Sequence, residues 1–468
     1  MAAAYLASIA ERIAKHWDAE IVPELVRYIR VPAKSPHFDA EWRAHGHIDA
    51  VVEQARAWAS KQPIEGLELE VVRLGDRTPL LFFDAPAKGA RASAKTAVLY
   101  GHLDKQPEMT GWREGYGPWT PVIDRGRLYG RGGADDGYAI FAALAAIAAL
   151  DAEGVARPRC LGLVETCEES GSYDLPAYLE ALAPRLGEPG VVIALDSGAG
   201  NYEQLWATTS LRGLVNGTLS IDVLTEGVHS GDAGGVVPSS FRIARTLLDR
   251  LDASRDFECA IPRERADQAS QAAEILGDTL WKRFPFVEGA APISGSRVDL
   301  ILNRTWRAAV EVTGGNLPPI GSAGNVHRPR TALKVSLRLP PLLDAEKAAR
   351  KLKALFEKDP PHGARVGFEW DSAGSGWNAP ALAPWLGAAL DEASRALFGK
   401  PAAFMGEGGT IPFMSMLGRQ FPATQILVTG VLGPGSNAHG PNEFIDIGYA
   451  KKVTAATAAV LAGSVSVG

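Results

Sequence analysis

Cysteine is scarce: 468 residues contain only Cys160, Cys167 and Cys259, an odd number with no CxxC spacing. Disulfides are therefore not expected to hold the fold, and a reducing cytoplasm is the expected compartment. Positive charge is not in excess either, with 48 Lys and Arg against 54 Asp and Glu and a net charge of −6. That balance gives no general attraction to nucleic acid or to an anionic membrane surface. No apolar run is read as approaching the roughly 20 residues a membrane span requires. The opening "MAAAYLASIAERIAKHWDAE" spaces Leu6, Ile9, Ile13 and Trp17 as a surface helix does, not as a signal-peptide core does. No internal repeat or low-complexity segment is present. What remains is an ordinary globular composition, 46% hydrophobic and 22% charged. The chain is too long for one core, so two or three domains are expected.

Against that background one pattern stands out. Five possible metal ligands occur in the order His102, Asp135, Glu169, Asp196 and His439, and most of them end or follow an apolar run. "TAVLYGHLD" delivers His102 and Asp104, "CLGLVETCEES" delivers Glu168 and Glu169, and "VVIALDSG" delivers Asp196. Asp135 lies in "GRGGADDGYAI", just before an Ala-rich helical stretch. A buried strand that stops at a carboxylate or imidazole places it at the carboxyl edge of the sheet, where open α/β folds hold their ligands. Two imidazoles and three carboxylates suit a pair of divalent cations such as Zn²⁺ without any cysteine. The pattern is that of a two-metal hydrolase.

The order of elements predicts an α/β fold. Residues 1–207 alternate strand-like and helix-like segments, which argues for a sheet flanked by helices. Near residue 208 the texture changes. "GLVNGTLSIDVLTEG", "RTALKVSLRLPP" and "ARVGFEWDS" read as half-buried strands, with helices at "SSFRIARTLLDRLDAS", around 264–284 and at "DAEKAARKLKALFEKD". This reads as an α+β domain with a sheet open on one side. Helix and strand patterns of the first kind resume after "SAGSGWNAP". The expected organisation is a catalytic domain in two parts, 1–207 and 381–468, interrupted by an inserted lid and dimerisation domain at 208–380.

"YGHLD", "GRGGADDG", "EESGS", "LDSG", "GVHSGDAGG" and "NAHGPNE" together resemble, in order and spacing, the M20 metallopeptidases, and within them the carnosinase-like and cytosolic non-specific dipeptidase branch. The likeness runs over nearly the whole chain. It implies a catalytic domain with a mixed sheet and a two-metal site. His102, Asp135 and Asp196 would hold one ion, and Asp135, Glu169 and His439 the other, with Asp135 bridging across a cis peptide to Asp136. Glu168 would be the general base and acid. Asp104, two residues after His102, is expected to turn its carboxylate onto the imidazole nitrogen that does not bind metal. Asp136 is the better candidate to cap the Ala-rich helix. His229 matches a family histidine that reaches the partner subunit's active site and stabilises the oxyanion. Arg338 matches an arginine that binds the substrate's terminal carboxylate. Gly408, Gly409 and Thr410 could add backbone N–H groups and a hydroxyl. Two departures touch substrate preference: Gly137 replaces a common lysine, and Gly406 stands where a basic residue often precedes the "EGG" run.

The expected activity is hydrolysis of the amide bond of dipeptides or related small substrates bearing a free carboxylate. Two divalent ions per chain are expected, Zn²⁺ foremost with Mn²⁺ or Co²⁺ as alternatives, in a homodimer that binds neither nucleic acid nor membrane. The alternatives are an N-acyl amino acid deacylase of the acetylornithine or succinyl-diaminopimelate kind, and a non-catalytic peptidase-like binding scaffold.

Overall fold

Four apolar runs, Ala97–His102, Cys160–Glu165, Val191–Ala194 and Gln425–Val428, lie side by side as parallel strands at the centre of one sheet. In the computed structural model, which describes residues 2–89 and 95–465, the first three are buried along their whole length. Burial on both faces is why they read as unbroken hydrophobic stretches. Leu99, Val164 and Ile193 enter one core, while their neighbours Val98, Leu163 and Val192 enter another on the opposite face. Antiparallel strands Leu80–Ala85 and Glu68–Val72 extend one side of the sheet. Trp206–Leu211, Trp377–Asn378 and Ala403–Glu407 extend the other, completing a mixed sheet of nine strands.

Helices close both cores. Ala2–His16, His47–Ala59, Ala139–Ala152 and Ile447–Ser464 contribute to the larger one, and Leu175–Leu186 with Pro412–Gln420 to the smaller. Leu6, Ile9, Ile13 and Trp17 are the buried face of the first helix, as their spacing implies. The stretch Gly133–Ala152 is by length and composition apolar enough to cross a membrane, an 18-residue window of it having mean hydropathy 1.4, but that window is buried inside the fold as a core helix, and Asp135 and Asp136 interrupt the apolar run. All three cysteines are free, with Cys160 and Cys167 buried.

A second, four-stranded antiparallel sheet has the order Ala309–Gly315, Arg330–Leu339, Gly213–Asp222, Arg365–Gly374. Its two central strands alternate strictly between buried and half-buried residues. Val215, Leu219, Val335 and Leu337 face helices Ser240–Asp252 and Ala345–Glu357, forming a third core. Arg338 lies between Leu337 and Leu339, hence on the face turned away from those helices. The strand Ala309–Gly315 is absent from the sequence reading. It is an edge strand, mostly exposed and bulged between Val312 and Gly314, so its alternation is weak. Helices Arg263–Leu276 and Arg297–Thr305, although within 208–380, bury Ala269, Ala273, Ile301 and Leu302 in the first core. The chain passes between the two sheets at Arg212 and at residues 375–376. There a Cβ on Gly376 would lie 2.5 Å from the Leu211 carbonyl oxygen, so only glycine fits the crossing.

Candidate metal centre and active site

The four parallel strands all point their carboxyl ends to the same edge, and each leads to a ligand candidate. Ala97–His102 ends on His102 itself. Cys160–Glu165 is followed by the short turn Glu168–Ser170, and Val191–Ala194 stops two residues before Asp196. Gln425–Val428 leads into the loop carrying His439, whose backbone takes a φ of 65°. Asp135 arrives on a tight turn, Gly133–Gly137, ahead of the Ala-rich helix, and its peptide to Asp136 is cis.

The five residues converge. His102 Nε2 is 3.4 Å from Asp135 Oδ1 and 3.9 Å from Asp196 Oδ2. His439 Nε2 is 3.0 Å from Asp135 Oδ2 and 3.4 Å from Glu169 Oε2. Each oxygen of Asp135 thus faces a different imidazole. Two sets of donor atoms are spaced to surround a cation: His102, Asp135 and Glu169, and His102, Glu168 and Asp196. Glu168 therefore lies beside the His102 group, its Oε2 4.0 Å from His102 Nε2.

The histidine tautomer follows from its partner. His102 Nδ1 is 3.1 Å from the backbone carbonyl of Asp104, which can only accept, so Nδ1 carries the hydrogen and Nε2 keeps its lone pair. That Nε2 is buried and makes no hydrogen bond, an orphan a metal ion would satisfy. The Asp104 carboxylate lies beside the same nitrogen, its Oδ1 3.5 Å from His102 Nδ1, and also accepts the backbone N–H groups of Glu168 and Glu169 at 3.2 and 3.0 Å. Asp136 departs from its expected role: it accepts the N–H of His102 at 3.3 Å, and Tyr138, without a side-chain cap bond, occupies the cap of the helix.

The electrostatics call for cations. Burial, then the charge of Asp196, pushes Glu168 well above the ordinary carboxylate range. Burial and the charge of Asp135 do the same to Glu169. Asp196, buried and close to Asp135, is pushed up to about 7. Carboxylates crowded in a buried pocket resist ionising together, and bound divalent ions relieve that resistance.

A cavity of about 640 Å³ opens over this cluster, and Asp135, Glu168, Asp196, His439, Arg338, Gly409 and Thr410 line it. Arg338, though far away in sequence on the second sheet, thus shares a cavity with the candidate metal ligands. Gly408 and His229 are not on its wall among the described residues. The Gly408 carbonyl accepts from Arg212 Nε at 3.3 Å, and Thr410 Oγ1 donates its one hydrogen to the Arg212 carbonyl at 2.5 Å. His229 is exposed, where its Nδ1 accepts the Gly231 N–H at 3.1 Å.

The model of peptidase family M20/M25/M40 matches residues 98–463. The chain belongs to this family. It is a metallopeptidase, and divalent metal is the family's cofactor class. The M20 chain is 28% identical over 430 residues to the cysteinylglycine-S-conjugate dipeptidase of Corynebacterium striatum, covering 88% of this chain and 89% of that one. It is 24% identical over 454 residues to a Cys-Gly metallodipeptidase of Schizosaccharomyces pombe, covering 92% of each. Its fold is similar to that of human carnosine dipeptidase 1, with a TM-score of 0.76, 19% identity and 98% of both chains covered. The dipeptidase Dug1p of Saccharomyces cerevisiae matches with a TM-score of 0.74 and 22% identity over the full length of both chains. At these identities the two solved structures bear on fold alone.

Several residues that build this M20 site escaped the sequence reading. Arg131, 1% exposed at its side chain, forms an ion pair with buried Glu443 and donates to the carbonyls of His439 and Gly440, both at 3.0 Å. Glu443 in turn accepts the Gly132 N–H at 2.8 Å, so one buried pair ties the His439 loop to the turn that presents Asp135. Gln106 Nε2 donates to Glu169 Oε2 at 2.6 Å and orients it. Arg131 and Glu443 sit inside the quoted "GRGGADDG" and "NAHGPNE" stretches, which was the available signal. The two departures noted above have no room for a long side chain. A Cβ at Gly137 would come 2.1 Å from Tyr28 Cε1, and one at Gly406 would come 2.3 Å from Ser210 Oγ.

Proposed function

We propose that the chain is a two-metal dipeptidase, active as a homodimer, that cleaves the amide bond of dipeptides with a free terminal carboxylate. One observation carries the reading: the two carboxylate oxygens of Asp135 face His102 and His439 separately. That arrangement suits a bridging ligand. His102, Asp135 and Asp196 would hold one ion, and Asp135, Glu169 and His439 the other, with Zn²⁺ the first candidate and Mn²⁺ or Co²⁺ the alternatives. When bound, the divalent ions supply Lewis acidity and make water acidic enough to lose a proton near neutral pH. Dipeptidase names on relatives that span most of the chain favour dipeptides over N-acyl amino acids.

The chain's own groups then divide the work. Asp104 fixes the turn carrying Glu168 and Glu169 through its two backbone hydrogen bonds. Its carbonyl holds His102 in the tautomer that leaves Nε2 free. Gln106 aims Glu169. Glu168, half-buried beside the His102 group, takes the proton of the attacking water and returns it to the leaving amine, the task for which a carboxyl held above its usual pKa is suited. Arg338 receives the terminal carboxylate, Gly409 and Thr410 line that cavity with it, and Gly408, off the wall, supports them through the carbonyl it offers to Arg212. The insert at 208–380 acts as lid and dimerisation domain, carrying His229 to the neighbouring subunit's site.

A substrate panel tests this reading. Dipeptides with a free carboxylate should be cleaved, and N-acetyl amino acids should be cleaved much more slowly. If Arg338 binds the carboxylate, amidating the dipeptide should cost wild type roughly 2–5 kcal/mol of transition-state binding and cost Arg338→Ala far less. Equal sensitivity of the two enzymes to amidation removes Arg338 from this role, and preference for N-acetyl amino acids turns the reading into a deacylase.

A further inference from the structure

Three guanidinium groups share the wall of the cavity, those of Arg283, Arg304 and Arg338, with Glu407 as the accompanying carboxylate. A fourth, Arg212, lies just behind, only 8% exposed. Its hydrogen bonds all go to neutral carbonyls, Gly408 at 3.3 Å, Asn303 at 3.1 Å and Arg307 at 3.4 Å. Among the described residues none of the four forms an ion pair with a carboxylate. Arg304 is the least satisfied. Its Nη2 meets only the Met405 sulfur at 3.0 Å, and its Nε is buried without a hydrogen-bond partner. Burial and the charges of Arg338 and Arg304 push Arg212 down to about 10.

Like charges gathered on a cavity wall without counter-ions are costly, and folded proteins keep them where a ligand supplies the missing charge. The charge count at this wall says how much. Asp135, Glu168, Asp196 and His439 line the candidate metal end of the cavity. On the rest of the wall, three guanidinium groups face the single carboxylate of Glu407 and leave two positive charges. One terminal carboxylate neutralises only one of them. The supports are rigid as well: Arg304 ends a helix whose Ile301 and Leu302 are anchored in the main core, and Arg283 follows Leu280, anchored there too.

We propose that the enzyme selects substrates with two anionic groups at the carboxy-terminal end, an acidic residue such as glutamate or aspartate, with Arg304 and Arg283 meeting the second anion beside Arg338. This rests on the dipeptidase reading above and adds the substrate class to it. Arg212 lies between the two: it bonds the carbonyl of Asn303, next to Arg304, and Leu214, two residues on, pairs with Arg338 across the second sheet, so the second anion belongs at the same end of the substrate as the terminal carboxylate. Arg283, exposed on the same wall, would meet it on entry.

The test compares near-isosteric substrates on the metal-loaded enzyme as purified: Ala-Glu, Ala-Gln and Ala-Ala. A charge-assisted contact should favour Ala-Glu over Ala-Gln by roughly 10–100-fold in kcat/KM, mainly through KM. Free L-glutamate should inhibit more strongly than free L-glutamine. Arg304→Gln and Arg283→Gln should each bring the Glu-to-Gln ratio down towards one. Arg283 is exposed, so its variant stays folded even if Arg304→Gln does not. If Ala-Gln and Ala-Ala are cleaved but Ala-Glu is not preferred, or if the preference survives both substitutions, the second-anion site is overturned and the dipeptidase reading stands. If none of the three dipeptides is cleaved, the dipeptidase reading fails and this proposal with it.

Discussion

Glu168→Ala should retain the wild-type metal content while losing roughly 10²–10⁴-fold in turnover, the usual contribution of a positioned general acid–base group. The argument is geometric. Glu168 lies on the cavity wall and its Oε2 stands 4.0 Å from His102 Nε2, whereas Glu169, next in the chain, points to His439 at 3.4 Å and is held by Gln106. The proposed roles divide accordingly, Glu168 for proton transfer and Glu169 for coordination. Glu169→Ala or His439→Ala should lose metal together with activity. Elemental analysis of the purified variants separates the two roles. A Glu168→Ala protein that is depleted of metal yet still turns over would reverse the assignment.

The second large effect concerns assembly. His229 is exposed and, among the described residues, is not on its own chain's cavity wall, and the proposed role for it is in a neighbour's site. A two-fold pairing of the inserted domains would allow each chain to serve the other. Glu168→Ala and His229→Ala homodimers should both be nearly inactive. A mixed dimer of the two contains one site with an intact Glu168 from one chain and an intact His229 from the other. It should recover about half the wild-type activity per dimer if the sites act independently. Co-expression with two affinity tags isolates the heterodimer for assay. A verified heterodimer as inactive as its parents excludes service across the interface.

Much of this architecture was legible because of how parallel strands are buried. Val98 and Leu99, or Leu163 and Val164, face opposite cores, so both must be apolar, and the run stops where the strand reaches the polar edge. Ligands at the ends of such runs are therefore visible in the chain. The alternating strands Gly213–Asp222 and Arg330–Leu339 were equally readable, since one face of each is covered by helices. What escaped depends on contacts across long separations. Arg304 and Arg283 look like solvated helix charges until the fold sets them beside Arg338. Asp136 resembles a helix cap by position, but the tight turn before Tyr138 directs it onto the His102 N–H. Asp104 was placed correctly beside His102, yet its carboxylate serves the backbone of the neighbouring strand's turn, which local spacing does not reveal.

The central claim is that two divalent ions held by His102, Asp135, Glu169, Asp196 and His439 are needed for dipeptide hydrolysis. The most direct test is to strip the purified protein with a chelator, assay it on a dipeptide such as Ala-Glu, and titrate Zn²⁺, Mn²⁺ or Co²⁺ back while counting bound metal. The account predicts loss of activity on stripping and recovery that reaches its plateau at two ions per chain. Full activity in a chelated protein shown to be free of metal would contradict it.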